Sequence, residues 1–337
     1  MSQADADLLV VIPCLNEEAH LGALLEAIGA DPACANARIV VADGGSTDAS
    51  ATIARQRAQT DPRIALLHNS ARLQSAGVNA AVRAYGRGCA FLVRVDAHAA
   101  YPSNYVSALL AAQRESGADA VVVSMRARAE PRACFQEAAA CAQNSVLGAG
   151  GSPHRKAGKR RFVDHGHHAL IKIAAFENAG GYDERFSHNE DAEFDARLTS
   201  AGGAILLAAD LVIDYFPRAT PKALMLQYLK YGQGRARTAL KHGGRLKLRQ
   251  LAAAAISPVS AAGLALAAFV PMAALPALAW LSLTLGYGIW LGVRAGKPCA
   301  CAAGAAALIM HFAWSVGFLR GLALAGLGRR PQTQRAL

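Results

Sequence analysis

Aromatic residues make up only 6% of the 337 positions, and no basic stretch is interleaved with them as the stacking platforms of nucleic-acid binders require, so no nucleic-acid partner is expected. The seven cysteines (Cys14, Cys34, Cys89, Cys134, Cys141, Cys299 and Cys301) show no paired zinc spacing, and Cys299 and Cys301 sit in an apolar run. Their odd number and scatter are the pattern of reduced thiols. Met1 to Asp7 is acidic and lacks the basic and apolar regions of a secretory signal, so the front of the chain is expected to face the cytoplasm. Acidic side chains are outnumbered, 24 against 35 Lys and Arg, for a formal charge of +11. That surplus suits an anionic membrane face or phosphate-rich ligands.

Charge itself is missing from one long stretch. Between Leu251 and Leu324 the only fixed charges are Arg294, Lys297 and Arg320. Three apolar runs, Leu251–Val270, Ala273–Val293 and Cys299–Leu319, each approach the ~20 residues a helix needs to cross a bilayer. Positive-inside reasoning puts the front domain and the Arg294/Lys297 loop in the cytoplasm, at the inner (plasma) membrane. A third full crossing would leave Arg329, Arg330 and Arg335 outside, against that rule, which favours a re-entrant or interfacial last run and leaves a full crossing open. Four segments follow: a catalytic domain over 1–220, a basic interface helix over 221–250, a membrane domain of two or three helices over 251–324, and a basic tail over 325–337.

The front alternates in period. Leu8–Ile12, Arg38–Ala42, Ile64–His68, Ala90–Val95 and Ala118–Ser124 read as buried strands. Helical stripes lie between them at Asn16–Ile28, Ala49–Gln59 (capped by Ser46 or Thr47) and Ser75–Tyr85. The expected fold class is α/β, a Rossmann-like, mostly parallel sheet with flanking helices, followed by transmembrane helices. Further strands are expected at Ala169–Phe176, Ile205–Ala208 and Val212–Tyr215, and a helix over Asn189–Leu198. Gly148–Arg161, Gly-rich and basic, reads as a loop. Ligands of such sheets bind beyond the carboxyl ends of the strands, where Pro13–Glu17, Asp43 and Asp96 stand.

At Asp96-Ala97-His98 a carboxylate and an imidazole can both reach one divalent ion, Mn2+ or Mg2+, able to neutralise a diphosphate leaving group. Asp43 can accept from an imide N–H such as uracil's, and also make an Asp-Gly turn. Glu17, with Pro13 and Asn16, either holds ribose hydroxyls or complements a helix dipole. Sugar transfer with inversion needs a carboxylate opposite the leaving diphosphate; Asp191 is the candidate base, with Glu190 shaping the acceptor pocket. Adjacent carboxylates also lift one another's pKa. Gln233, Arg235 and Arg237 are either a diphosphate or lipid-pyrophosphate grip or a juxtamembrane basic belt. His165, His167 and His168 alternate on an expected strand, which argues against a metal cluster.

Taken together, VVIPCLNEE (10–18), VADGGSTDAS (41–50), QSAGVNAAV (74–82), LVRVDAHAAYP (92–102) and GGYDERFSHNEDAEFDARL (180–198) resemble family 2 glycosyltransferases of the GT-A fold. With the apolar tail, the chain is similar to the glucosyltransferases of succinoglycan-type exopolysaccharide assembly. The resemblance implies inverting transfer of a hexose such as glucose from a UDP-sugar to a lipid-diphosphate-linked glycan, alongside other enzymes of the assembly pathway. It implies donor contacts at Pro13, Asn16, Glu17, Asp43, Gln74, Asn79 and Asp96, metal at Asp96 and His98, and base chemistry at Asp191. His168 joins Gln233, Arg235 and Arg237 as a diphosphate or acceptor contact. Two departures stand out: the usual Asp-x-Asp is Asp-x-His, and the Gln-x-x-Arg-Trp of processive enzymes is absent, which favours single-residue addition. Transfer to a polyprenyl phosphate and a non-catalytic nucleotide-sugar binder are the alternatives. A nucleotidyltransferase would need a phosphate-cradling Gly-rich loop that Pro13–Glu17 lacks.

Overall fold

The computed structural model describes residues 8–150, 158–243, 246 and 248–326. In chain order the elements are β1 (Leu8–Cys14), α1 (Leu21–Gly29), β2 (Arg38–Asp43), α2 (Ser50–Thr60), β3 (Ile64–His68), α3 (Gln74–Tyr85), β4 (Phe91–Arg94) and β5 (Ala99–Ala100). Then come α4 (Tyr105–Ser116), β6 (Ala120–Ala127), α5 (Cys134–Asn144), α6 (Val146–Ala149), β7 (Arg161–Val163), β8 (His167–Lys172), α7 (Ile173–Asn178), α8 (Glu190–Ser200) and β9 (Ile205–Tyr215). Four long helices close the described chain: α9 (Pro221–His242), α10 (Leu248–Leu266), α11 (Leu275–Ala295) and α12 (Ala303–Gly326). They fall into two compact units, one of residues 8–126 and 158–215, the other of residues 127–150 and 216–326.

The first unit is built on one sheet of order β3-β2-β1-β4-β8-β6-β9-β5, with β7 on β9. Its first four strands are parallel: Cys14 pairs with Asp43, Asp43 with His68, and Val11 with Arg94. The carboxyl ends of β1, β2 and β4 therefore share one edge. The expectation of a mostly parallel sheet needs correcting beyond β4, because β8 runs antiparallel to both β4 and β6. That reversal has a consequence for the site. With Val93 opposite Leu170, the amino end of β8, where His167 and His168 lie, meets the carboxyl end of β4.

Each sheet face has its own core, set by strand alternation. Val10, Ile12, Val93 and Val95 pack with Leu21, Leu25 and Ile28 of α1 and with Tyr105 and Leu109 of α4. Leu9, Val11 and Leu92 pack on the other side with Val78 of α3, Phe176 of α7, and Phe194 and Leu198 of α8.

Several expected boundaries shift for identifiable reasons. The first helix begins at Leu21 rather than Asn16, since Asn16 sits at φ +57 in a turn. Neither Ser46 nor Thr47 caps α2: Ser46 bonds Asp43, Thr47 bonds Asn16, and Asp48 Oδ1 takes the Ser50 N–H at 2.9 Å. The strand expected over Ala169–Phe176 ends at Lys172 and turns into α7, a change an apolar run does not signal. The two closing strands are one, β9. Of the expected loop Gly148–Arg161, residues 151–157 lie outside the described residues, as do Arg329, Arg330 and Arg335 of the basic tail.

In the second unit α9 and α12 approach through glycines. A Cβ on Gly232 would strike the Trp314 carbonyl, and one on Gly317 the Leu229 carbonyl. Thr284, Gly288 and Gly292 form the buried stripe of α11, against which Gly304 and Cys301 pack. Close backbone approach between small residues is how helices gain contact where apolar burial supplies no drive. Pro258 lies inside α10 and removes the N–H that would have met the Ala254 carbonyl. The Ser315 hydroxyl donates to that carbonyl at 2.8 Å and itself receives the Ser257 N–H at 3.0 Å. The freed backbone group is thereby satisfied from α12.

Among the described residues two helices, Pro271–Ala295 and Pro298–Ala325, are long and apolar enough to cross a membrane, whereas the first expected run, in α10, is not among them. Only 11% of the Pro271–Ala295 window is buried, and Phe269, Met272, Leu283 and Val293 are exposed. The expectation of reduced thiols fails at one pair. Cys134 of α5 and Cys299 form a disulfide across 165 residues, beside a Lys297–Glu137 ion pair at 2.7 Å. Sequence spacing carries no trace of that proximity, which comes from helix packing.

Glycine packing separates two substitutions in this unit. Gly232→Ala should destabilise the protein by about 2 kcal/mol, through overpacking against backbone that cannot yield. Gly286→Ala, at an exposed helical site with open space around it, should be neutral or stabilising by up to about 1 kcal/mol. Thermal unfolding of the detergent-solubilised variants checks the contrast.

Candidate active site

The loops after β1 and β2 are laced together. Asn16 N–H donates to Ser46 Oγ at 2.9 Å, and Asn16 Oδ1 accepts the Thr47 N–H at 2.8 Å. Glu17 N–H reaches Ser50 Oγ at 2.7 Å, and Glu18 N–H reaches Asp48 Oδ2 at 3.0 Å. Asp43, only 6% exposed, accepts from the Gly45 N–H at 3.1 Å and from the Ser46 hydroxyl at 2.5 Å. Its turn-making role is thus realised, and Gly45 (φ +81) supplies the left-handed step that the turn needs. Glu17 Oε1 lies 3.0 Å from His98 Nδ1, which ties the first loop to the segment after β4.

Arg94, the last residue of β4, is 5% exposed and organises the centre. Its NH1 is 2.5 Å from Asp191 Oδ1 and 3.4 Å from Glu190 Oε1, and its Nε is 3.4 Å from Asp96 Oδ1. Gln74, expected on the donor, gives its amide to Asp96 Oδ1 at 2.8 Å and so orients that carboxylate. The Tyr101 hydroxyl brackets the Asp96 backbone, receiving its N–H at 2.7 Å and donating to its carbonyl at 3.1 Å. His167 stands between the acids, Nε2 3.5 Å from Asp96 Oδ2 and Nδ1 4.0 Å from Asp191 Oδ2.

Asn189, at φ +64, starts α8, a left-handed position that asparagine tolerates better than most residues. Glu190 and Asp191 follow in its first turn, where the helix dipole favours negative charge. One turn later Asp195, fully buried, accepts from or pairs with three groups of the segment leading into β8. These are His168 Nε2 at 2.7 Å, His165 Nδ1 at 2.8 Å and the Gly166 N–H at 3.2 Å. That clamp fixes α8 against β8 and hence the placement of Asp191.

Two residues expected as ligand contacts are engaged within the protein. Both ring nitrogens of His168 are engaged, by Tyr182 Oη at 2.6 Å and by Asp195, and the ring is 0% exposed, so it supports the site from behind. Asn79 donates to the Tyr182 carbonyl at 2.8 Å and receives the Tyr182 N–H at 2.9 Å, bracing the Gly180–Tyr182 turn. Gln233, Arg235 and Arg237 lie on α9, in the other compact unit.

The carboxylates separate in acidity. Burial and then the neighbouring Asp191 charge push Glu190 up to about 7. Burial opposes ionisation of Asp191 too, but Arg94, followed by His168 and His167, holds it well below the ordinary carboxylate range. Asp96 is lowered despite its burial, chiefly by Arg94. Burial lowers His167 against the pull of Asp96 and Asp191. The expected mutual repulsion of adjacent acids is present, and Arg94 decides that Glu190 is the one raised.

Among the described residues no group of three or more His, Cys, Asp or Glu side chains is arranged to hold a metal ion. Asp96 and His98 are an anionic oxygen and an imidazole at a strand end. By the chemistry of the donor set they would suit an ion completed by substrate oxygens, as Mg2+ is on phosphates, while Asp96 Oδ1 is met here by Gln74 and Arg94 and His98 Nδ1 by Glu17. Sequence patterning singles out none of Arg94, Asp195 and Tyr182, and marks His167 only as one of three neighbouring histidines. The charge of Arg94 inside the apolar run AFLVRV was the one signal that could have revealed it, since a lone cation in a buried strand requires anionic partners.

The chain is 47% identical over 314 residues to the succinoglycan biosynthesis protein ExoA of Rhizobium meliloti (strain 1021), covering 93% of this chain and 94% of that one. Residues 9–177 match the family described as glycosyl transferase family 2. The chain belongs to glycosyl transferase family 2. Among solved structures, this glycosyltransferase is similar to the mannosyltransferase PcManGT from Pyrobaculum calidifontis in complex with GDP-Man and Mn2+. The TM-score is 0.52 at 20% identity, covering 96% of this chain and 86% of that one, a likeness of fold. Staphylococcus aureus TarS 1–349 aligns at TM-score 0.46 and 14% identity, over 94% of this chain and 92% of that one. The glycosyltransferase has the expected GT-A fold, with the mixed sheet described above.

The His168–Asp195 pair makes a pH-dependent contribution to the stability of this glycosyltransferase. Burial works against the charged imidazole, but Asp195 and then Asp191 raise His168 above its ordinary value, while His168 lowers Asp195 despite burial. A raised histidine stabilises below its unfolded value, and a lowered aspartate stabilises above its own. The contribution is therefore complete between about pH 4 and 6.5 and declines on either side. Asp195→Ala should cost about 3 kcal/mol in that window. The difference from wild type should narrow above it, as read by denaturant unfolding across pH.

Proposed function

We propose that this glycosyltransferase moves a hexose, with inversion, from a UDP-sugar to a lipid-diphosphate-linked glycan in the assembly of a succinoglycan-type exopolysaccharide. The observation that carries the reading is the convergence of Asp96 and the Glu190/Asp191 pair on Arg94 at the carboxyl edge of the parallel strands, across a sequence separation of 97 residues from Arg94 to Asp191. A donor-side carboxylate and an acceptor-side carboxylate in one centre are what single displacement needs. The relative named for succinoglycan biosynthesis supports the pathway.

In this reading Asp43 and Glu17, with Pro13 and Asn16, hold the nucleoside. Asp96 and His98 would bind a divalent ion, Mn2+ or Mg2+, which supplies charge neutralisation of the donor diphosphate when bound. Asp191 takes the proton of the acceptor hydroxyl as that oxygen bonds to the anomeric carbon and the bond from that carbon to the diphosphate oxygen breaks. Glu190 shapes the acceptor pocket. In the second unit, Gln233, Arg235 and Arg237 on α9 are candidates for a lipid pyrophosphate head group. The exposed apolar side chains of α11 favour insertion of that unit in the inner membrane, with the catalytic domain on the cytoplasmic side. Anchoring raises the effective concentration of a lipid-bound acceptor.

Membranes carrying the protein, supplied with Mn2+ and a panel of sugar nucleotides including UDP-glucose and GDP-mannose, should release nucleoside diphosphate and extend a lipid-linked glycan. Asp191→Asn should lower turnover by roughly 100-fold or more. Undiminished turnover removes the base assignment, metal-independent activity of Asp96→Ala removes the metal, and a single sugar on a monophosphate lipid redirects the acceptor.

A further inference from the structure

Arg94 is met in the site by three carboxylates and by the Tyr182 side chain. Its NH1 reaches Asp191 and Glu190 and its Nε reaches Asp96, while its guanidinium carbon lies 5.8 Å from the centre of the Tyr182 ring. Burying a guanidinium is costly, and similar-sized apolar residues often replace buried ion pairs without loss of stability. Packing alone therefore does not call for an arginine on this face of β4, where Leu92 already fills the core two residues earlier. The planar fork offers several donors in fixed directions, which a lysine cannot match. Here those directions divide between the segment after β4 and the first turn of α8.

The geometry points to Arg94 as the positioning residue that joins the donor-side and acceptor-side carboxylates and sets which oxygen of Asp191 faces the acceptor. Asp191 Oδ1 is held by Arg94 at 2.5 Å and approached by His168 Nδ1 at 3.7 Å, whereas Oδ2 faces His167 at 4.0 Å. Oδ2 is the oxygen left to take the acceptor's proton. This rests on the transfer reaction proposed above. It adds that the base and the diphosphate-side carboxylate are aligned through one cation, which touches neither sugar.

Arg94→Met and Arg94→Lys, assayed beside wild type, test it. Loss of an orienting partner should lower kcat by roughly 10- to 100-fold, the scale seen when supporting contacts of a site are removed. The donor KM should stay within about threefold of wild type, since the nucleoside loops are untouched. Arg94→Lys should recover only part of the loss, and the acid limb of the kcat–pH profile should move upward in Arg94→Met as Asp191 loses its cation. A kcat within about threefold of wild type with an unmoved acid limb overturns the inference. So does a loss that lies wholly in KM. Should Arg94→Met fail to fold, the lysine variant decides on kcat and KM alone, since it keeps a cation beside Asp191.

A cycle in thermal unfolding with Asp191→Asn gives an answer independent of the reaction. If wild type transfers no sugar from any donor, the proposed function fails, and this cycle still judges Arg94. Coupling between the two substitutions supports the link, and additive losses overturn it.

Discussion

A guanidinium withdrawn from water at the end of β4 imposes the central constraint on this enzyme. Arg94 can remain charged there only if carboxylates surround it, and the chain brings them from two distant segments. Their placement requires the reversal of direction at β8, which lays the His167–His168 end against β4. It also requires the Asp195 clamp that holds α8 beside β8. The acidity pattern follows. One cation cannot satisfy three acids equally, so Asp191, closest to it, stays ionised, and Glu190, buried next to that charge, is raised.

The layers behind the site are arranged to keep that centre in register. Gln74 and Tyr101 fix Asp96, Asn79 fixes the Gly180–Tyr182 turn, and Tyr182 in turn meets His168. Residues of this kind look like ligand contacts in a motif because they recur beside acids and glycines. In the folded protein each of them bonds to other residues of the chain. The second unit obeys a different rule. Its helices carry little charge, pack through glycine and serine, and repair the backbone defect at Pro258 with a hydroxyl from α12.

The four parallel strands were readable because a buried strand is a short apolar run ended by a turn residue, and Leu8–Ile12, Arg38–Ala42 and Ile64–His68 fit that form. The direction of β8 was not readable, since an apolar run looks the same in either orientation. The acids Asp43, Asp96, Glu190 and Asp191 could be picked out as polar residues at the ends of apolar elements. Arg94 stands within AFLVRV, where strand periodicity counts it as an interruption and says nothing of what it faces. The cysteine pattern misled for a related reason: odd number and scatter describe spacing along the chain, whereas Cys134 and Cys299 meet through helix packing.

From sequence alone came the family resemblance, the alternation of strand and helix, the apolar tail and the acids at strand and helix ends. All of these depend on local residue chemistry and its period along the chain. Tertiary structure alone decided which acids share a cation, which of them is raised in pKa, and which motif residues bond within the chain. Those outcomes depend on distances of a few ångström between segments far apart in sequence, and on burial, which multiplies the effect of each charge.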